Sequence, residues 1–394
     1  MNRRKLFCML LLVGLLPAAR AQEVEKIRAK GRVLDEQTNE PMAFVNIGLI
    51  GTTMGVASNT DGYFELAVLP GYADRVARFS AVGYASREIR FSEMQGMDAL
   101  VVRLKPVAYS LADVQVVGAM DKTRRLLEQV ASNIPKNYIA RPYNYEGYFE
   151  RAVSVNGEER EKKEAIVLLH DKRGYQRADV GQSFSDLGYT VAQVRRGRPF
   201  ASAADGMIYF DDVVAADVVR HEHNALDARN YKDYRFRDLG KTLYDGDTVQ
   251  VIAYECLNPT LSTTGSHAPR AYSGEIYIQV KDLAVIKYVA RVASDHVNVM
   301  GRNLAPVNEP KQERCTTTLV TNYKKVSSYY FLGGASIDYS YETGGDRVKG
   351  ALQYHTTGVR VDNPLPVAGR LYYEQMDVDY SFWDRYTLSL EEDK

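Results

Sequence analysis

The sequence predicts a mainly β protein of two modules: a small N-terminal Ig-like or transthyretin-like β-sandwich, and a larger C-terminal antiparallel, curved sheet carrying one or two helices. Three observations lead there. Residues 27–104 break into short apolar/polar alternations, with turn chemistry at roughly ten-residue intervals. From Tyr143 onward the alternating stretches lengthen and fill with tyrosine, of which the chain has 28. Between the two regions, residues 122–134 repeat with a helical period instead.

In the first module Val33 lies in a strand closed by the turn-rich residues 35–41, and Val45, Ile47 and Leu49 share one face of the next. Asn59-Thr60-Asp61-Gly62 is a turn whose glycine can take positive φ, feeding a strand with Phe64, Leu66 and Val68 on one side. Leu100, Val102 and Leu104 close the series, giving about seven strands. Residues 106–121 form a boundary with Pro106 before and Gly118 after a short apolar strand. In the helix that follows, Leu126, Leu127, Val130, Ala131 and Ile134 line one face, Asp121 is placed to cap the start and Pro135 to stop it. Strands are expected at residues 143–149, 164–170, 248–254, 273–280, 284–292, 316–323, 329–341 and 371–380, with hairpin turns at Asp245-Gly246 and Gly344-Gly345. Residues 211–220, with Val214 and Val218, read as one helix interrupting the sheet. The expected domains are therefore 22–105, a linker strand 106–121, and 122–394.

Residues 1–21 read as a cleavable export signal. Arg3-Arg4-Lys5 precedes an apolar run broken by Pro17, and Ala19-Arg20-Ala21 places small residues for a cut before Gln22. The run is about half of the ~20 apolar residues a membrane-spanning helix needs. The residue after the cut is Gln22 and not Cys, so the signal is not that of a lipoprotein. Removing the segment takes four of the 50 basic residues and none of the 50 acidic ones, which leaves a net charge of −4. Such a mixed surface offers no footprint for nucleic acid. No later stretch is apolar enough to span a bilayer as a helix, and the location expected is the periplasm or the outer membrane's inner face. There the compartment permits a disulfide between Cys256 and Cys315, 59 residues apart; two separate buried thiols is the other reading.

Motifs with chemistry are few. There is no Gly-x-Ser-x-Gly elbow, P-loop or His-Glu-x-x-His. His221-Glu222-His223 is the nearest approach to a metal site, but among charged neighbours it reads as a solvated loop. Asp245-Gly246-Asp247 lacks the other positions of a calcium loop and reads as a turn. His170, His267, His296 and His355 are scattered singly. No catalytic, cofactor-binding or metal-ligating residue is assigned. A transmembrane barrel is disfavoured by the loop 259–269, by the charges at 158–164 that interrupt the alternation, and by the end Leu390-Glu391-Glu392-Asp393-Lys394.

Gly31-Arg32-Val33-Leu34-Asp35, Glu40-Pro41, Val45-Asn46-Ile47, Gly55, Asn59-Thr60-Asp61-Gly62-Tyr63-Phe64 and Val82-Gly83-Tyr84 together resemble the carboxypeptidase regulatory-like domain of Bacteroidetes envelope proteins. Leu111-Ala112-Asp113-Val114-Gln115-Val116-Val117 is similar to the strand that follows this module in starch-uptake-type receptors. The resemblance implies a fold and an envelope setting without peptidase chemistry. Tyr145-x-x-Tyr148-Phe149, Gly174-Tyr175, Tyr272-Ser273-Gly274-Glu275-Ile276-Tyr277-Ile278 and Tyr329-Tyr330-Phe331-Leu332 are similar to uncharacterised proteins of the same group. The return through Val285-Ile286-x-Tyr288 resembles the half-barrel of lipoprotein carriers. The expectation is a non-catalytic envelope protein that binds an apolar ligand or an outer-membrane partner. A structural adaptor to an outer-membrane receptor, or a hydrolase with a site assembled from distant strands, are the alternatives.

Overall fold

Seven short strands make two facing layers at the N-terminus: β1 (Ile27–Asp35), β2 (Asn46–Leu49), β3 (Gly55–Ala57), β4 (Tyr63–Val68), β5 (Val76–Ser80), β6 (Arg87–Arg90) and β7 (Leu100–Leu104). The structure, a computed structural model, describes residues 27–52, 55–59, 61–97, 100–107, 119–177, 186–196, 210–299, 302–304, 310–367, 378–385 and 391–392. The export signal with its cut before Gln22 and the strand expected at 111–117 lie outside them. One layer runs β4-β1-β7 and the other β3-β2-β5-β6, so alternation turns Val33, Ile47, Leu66, Phe79 and Val102 into a common core. A single helical turn, α1 (Phe91–Met94), closes one end with Phe91 and Met94 fully buried. The expected turn at residues 59–62 is present: Asn59 Oδ1 accepts from Tyr63 N at 2.8 Å, and Gly62 sits at φ +78° where a Cβ would strike the Val33 carbonyl.

The second module begins with α2 (Ala119–Asn137) and continues β8 (Tyr143–Val155), β9 (Glu158–Asp171), β10 (Leu187–Arg196), α3 (Asp211–Ala216), β11 (Tyr234–Tyr244), β12 (Asp247–Cys256), α4 (Leu261–Thr264), β13 (Pro269–Gln279), β14 (Ala284–Ser294), β15 (Asn298–Val299), β16 (Arg302–Asn303), β17 (Glu313–Val326), β18 (Tyr329–Thr343), β19 (Asp346–Arg360), α5 (Tyr380–Arg385) and β20 (Glu391–Glu392). Its sheet runs β10-β9-β8-β19-β18-β17-β14-β13-β12-β11, with β20 added in parallel to β19. All other ladders in it are antiparallel, and register shifts in most of them bend it. No helix among the described residues is long and apolar enough to cross a membrane.

Several boundaries differ from those expected. α2 starts two residues before Asp121 and runs two past Pro135, because a proline in a last turn costs only one backbone bond, and Tyr138 N still donates to the Ile134 carbonyl at 2.9 Å. α3 ends at Ala216 and not at Arg220: Asp217 and Arg220 are drawn inward by buried partners described below. Of the strand expected at 371–380, residues up to 377 lie outside the described ones, and Tyr380 opens α5, whose start is capped by Asp379 Oδ1 accepting from Phe382 N at 3.1 Å. The charges at 158–164 lie within β9 itself, neutralised across the ladder by Arg151–Glu161 at 2.8 Å and Lys162–Glu150 at 3.3 Å. The expected hairpin turns at Asp245-Gly246 and Gly344-Gly345 join β11 to β12 and β18 to β19, but the sequence assigns no strand range to β10, β11 or β19.

One face of the large sheet carries α2 and α3. Leu127, Val130 and Ile134 pack there against a core dense in aromatic rings, where the Tyr138 ring lies 5.2–5.8 Å from Tyr175 and Tyr330, both tilted, and from Tyr323, edge to face. The tyrosine hydroxyls reach backbone, as in Tyr138 to the Val285 carbonyl at 2.5 Å and Tyr254 to that of Val289 at 2.8 Å. Beneath them lies a buried charge cluster. Arg220 is 2.7 Å from Asp171 and 3.7 Å from Asp217, donates to the Tyr143 hydroxyl at 2.9 Å and lies over the Tyr175 ring, while Tyr323 donates to Asp217 at 2.8 Å. Burial lifts the Asp217 carboxyl above the usual range, and Arg220 opposes that rise.

Three strand glycines on this face are roofed by tyrosines: Gly274 by Tyr254, Gly350 by Tyr339 and Gly147 by Tyr354. The first two pairs are directly opposite in the ladders. An aromatic ring laid over a glycine restores the apolar cover the missing side chain would have given, while the bare backbone lets the sheet bend. A Cβ on Gly274 would collide with the Val289 carbonyl and sit 2.8 Å from the Tyr254 hydroxyl. Gly274→Ala is expected to cost about 1–3 kcal/mol in urea denaturation, as overpacked core sites do.

Cys256 and Cys315 are both buried and unbridged. β13 and β14 separate their strands, and three ladder spacings of about 4.8 Å put them beyond the reach of a disulfide.

Candidate functional site

The sandwich rests on the opposite face of the large sheet, where cross-strand pairing lines up one row of residues: Tyr277, Lys287, Asn322, Gly334, His355, Tyr148 and Ile166. Gly334 leaves a gap in that row, and Phe44 of the sandwich fills it. The ring approaches to 3.3 Å of where a Cβ on Gly334 would stand and packs on His355 with centroids 5.0 Å apart.

Phe44 has an unusual backbone for a bulky residue, φ +58°, in the left-handed region that costs such side chains roughly 1–2 kcal/mol. Ser58, wholly buried, holds the turn in place: its Oγ accepts from Val45 N at 2.9 Å and donates to the Met42 carbonyl at 2.6 Å, while the Ser58 carbonyl accepts from Phe44 N at 2.9 Å. Two further ties reach the β11–β12 hairpin. Gly83 N donates to the Leu243 carbonyl at 3.3 Å, and Arg78 pairs with Asp245 at 3.1 Å. The second pair is exposed and adds little energy.

Between sandwich and sheet lies a cavity of about 330 Å³. The sandwich supplies apolar walls, Ala43, Phe44, Ala81 and Val82; the sheet supplies Lys287, Asn322, Ser336 and Asp338. Lys287 has its ammonium 5.3 Å from the Tyr277 ring and no ion pair among the described residues. Burial draws its pKa below the usual lysine value. The Asn322 Nδ2 is buried without an acceptor. Desolvation raises the Asp338 carboxyl. His355 is 4% exposed, neither ring nitrogen has a hydrogen-bond partner, and burial lowers its pKa to about 4. Burial keeps His355 neutral at pH 7, as a ring packed under Phe44.

The residues singled out from sequence do not assemble here, apart from His355. His221-Glu222-His223 is not a solvated loop: His221 is fully buried, its carbonyl accepting from Arg177 and Asn224, and His223, at φ +61°, has Nδ1 2.8 Å from the Ser262 carbonyl. The segment is tucked under α4 because Arg177 and Asn224 tie its backbone down. Asp245-Gly246 is the expected turn, with φ +50° and +86°, and Asp247 accepts from Gln279 at 3.1 Å. Among the described residues no three His, Cys, Asp or Glu side chains converge as a metal shell. His170 lies 3.3 Å from the Asn144 amide. Phe44, Lys287 and Asn322 were missed, since they come from separate strands. Only the apolar pair Phe44-Val45, which breaks the alternation at a strand start, is a signal for any of them.

The family model for the CarboxypepD_reg-like domain matches residues 29–116, so the N-terminal sandwich is such a domain. No curated protein sequence matches the chain. Among solved structures it is similar to a LolA superfamily protein from Nitrosomonas europaea, at 11% identity over 61% of this chain and 94% of that one, with a TM-score of 0.22. The MucA/MucB complex of Pseudomonas aeruginosa matches at 9% identity over 60% and 94%, with a TM-score of 0.17. A membrane-associated protein of unknown function from Bacteroides fragilis matches at 11% identity over 84% and 97%, with a TM-score of 0.16.

Proposed function

We propose that this chain is a non-catalytic binding protein of the cell envelope, exported by its signal and cut before Gln22, and that its site is the junction between sandwich and sheet. The observation that carries the reading is the contrast between the two faces of the sheet. The helix-covered face, where an apolar cargo would be expected to ride, is filled by the protein's own tyrosines around the Arg220 cluster. The junction instead presents a cavity of ligand size, lined by the buried Asn322 Nδ2 without an acceptor and by Lys287 without an ion pair among the described residues.

Mature protein purified from its native envelope tests this by mass spectrometry. Intact mass is expected to correspond to a chain beginning at Gln22, and organic extraction is expected to release no stoichiometric lipid. A co-purifying lipid, or a melting temperature that rises across a lipid panel, would restore the carrier reading. The adaptor reading is favoured instead if cross-linking in the intact envelope captures an outer-membrane receptor through the sandwich while small molecules leave the protein unaffected.

A further inference from the structure

We propose that the junction cavity binds a small organic carboxylate with an apolar body, the carboxylate held by Lys287 and Asn322; this rests on the binding reading above. Lys287 and Asn322 are directly opposite in the β14–β17 ladder, so their side chains stand about 5 Å apart at Cβ on the cavity floor. The carboxylate best placed to neutralise Lys287 is Glu275, but Arg291 Nη1 already holds both its oxygens at 2.9 Å. Two cations therefore share one anion, and Lys287 is left over. Beside it the Asn322 Nδ2 has a hydrogen to donate and nothing to receive it. A half-buried cation without an ion pair and a buried amide hydrogen without an acceptor each weaken the fold, and a single two-oxygen anion lying between them satisfies both.

The rest of the cavity agrees with such a ligand. Asp338, the acid in the lining, is opposite Thr318, four residues along β17 from Asn322 and so about 13 Å away in the strand direction. It stands clear of the anion pocket. Phe44, Ala81 and Val82 face the floor from the sandwich and offer an apolar surface for the body of the ligand. An ion of higher charge, such as phosphate, would meet only one cation here and would leave that surface unused.

Thermal melting and calorimetry of the full mature protein test the assignment, with hexanoate and benzoate as probes and hexanol, hexylamine and inorganic phosphate as controls. Hexanoate or benzoate is expected to raise the melting temperature saturably, while hexanol and hexylamine leave it unchanged. Lys287→Met and Asn322→Leu are each expected to weaken binding at least ~tenfold. The unliganded Lys287→Met protein should melt no lower than the parent, because an uncompensated charge has been removed. No saturable shift by either carboxylate at about 10 mM, equal binding by both variants, or phosphate binding as tightly as the carboxylates would overturn the proposal. The contrast between hexanoate and hexylamine decides the matter on the parent protein even where a variant fails to fold. Lipid extraction and this measurement read different molecules, so each can fail alone.

Discussion

Arg220→Met is expected to lower the stability of the second module by about 3–5 kcal/mol in urea denaturation at neutral pH, the cost of leaving a buried charge without its partner. The substitution roughly keeps the volume of the side chain and removes the only cation paired, among the described residues, with Asp171 and Asp217, which are 0% and 3% exposed at their side chains. Asp171 also accepts from Arg173 N and Gly174 N at 2.9 and 2.8 Å, so it cannot swing out to water without opening the turn after β9. Neutralising both acids in the same protein, by Asp171→Asn and Asp217→Asn, is expected to restore most of the loss, since the penalty belongs to the orphaned charges and not to the missing arginine. A single-variant loss under about 1 kcal/mol would show that water reaches the cluster.

Lowering the pH from 7.5 to 4.5 is expected to cost about 2–3 kcal/mol through His355. The ring is buried between Phe44 and the sheet, and its pKa falls from 6.5 to about 4 because burial disfavours the charged form. Between those two values the unfolded or undocked chain binds a proton that the docked chain refuses, so stability is complete above pH 6.5 and is lost as the pH falls toward 4. The groups around the ring do not offset this: Phe44 and Gly334 carry no charge, and the hydroxyl of the opposite residue, Tyr148, lies 2.7 and 2.8 Å from Glu164 and Glu150. His355→Phe keeps a ring for Phe44 to pack on and is expected to flatten the pH profile between 4.5 and 6.5. An unchanged profile in that variant would place the titration elsewhere.

What could be read from the sequence was whatever depends on neighbours along the chain. Val33, Ile47, Phe64 and Leu66 announce the sandwich because a half-buried strand needs alternation, and Asn59-Thr60-Asp61-Gly62 and Asp245-Gly246 announce turns because only certain residues accept positive φ. β19 was invisible because Gly350 and Gly358 interrupt its pattern; the side chain that covers Gly350 is Tyr339, on another strand. β11 was hidden by its alternating charges, which on an edge strand face water. The end of α2 was misplaced because a local rule about proline yielded to Tyr138, whose ring is fixed by tertiary contacts. The junction site was out of reach for the same reason: Phe44, Lys287, Asn322 and His355 are ordinary residues until the ladder puts the last three in one row and the sandwich sets the first upon it.

Phe44 seated at Gly334 works as a peg in a hole. Between Asn322 and His355 the row offers one vacancy, at Gly334, and the ring that enters it rests on His355. The position of the sandwich along the row is therefore set by a single missing side chain, and Gly334→Ala, which puts a Cβ 3.3 Å from the Phe44 ring, bears on how the two modules sit without touching the core of either.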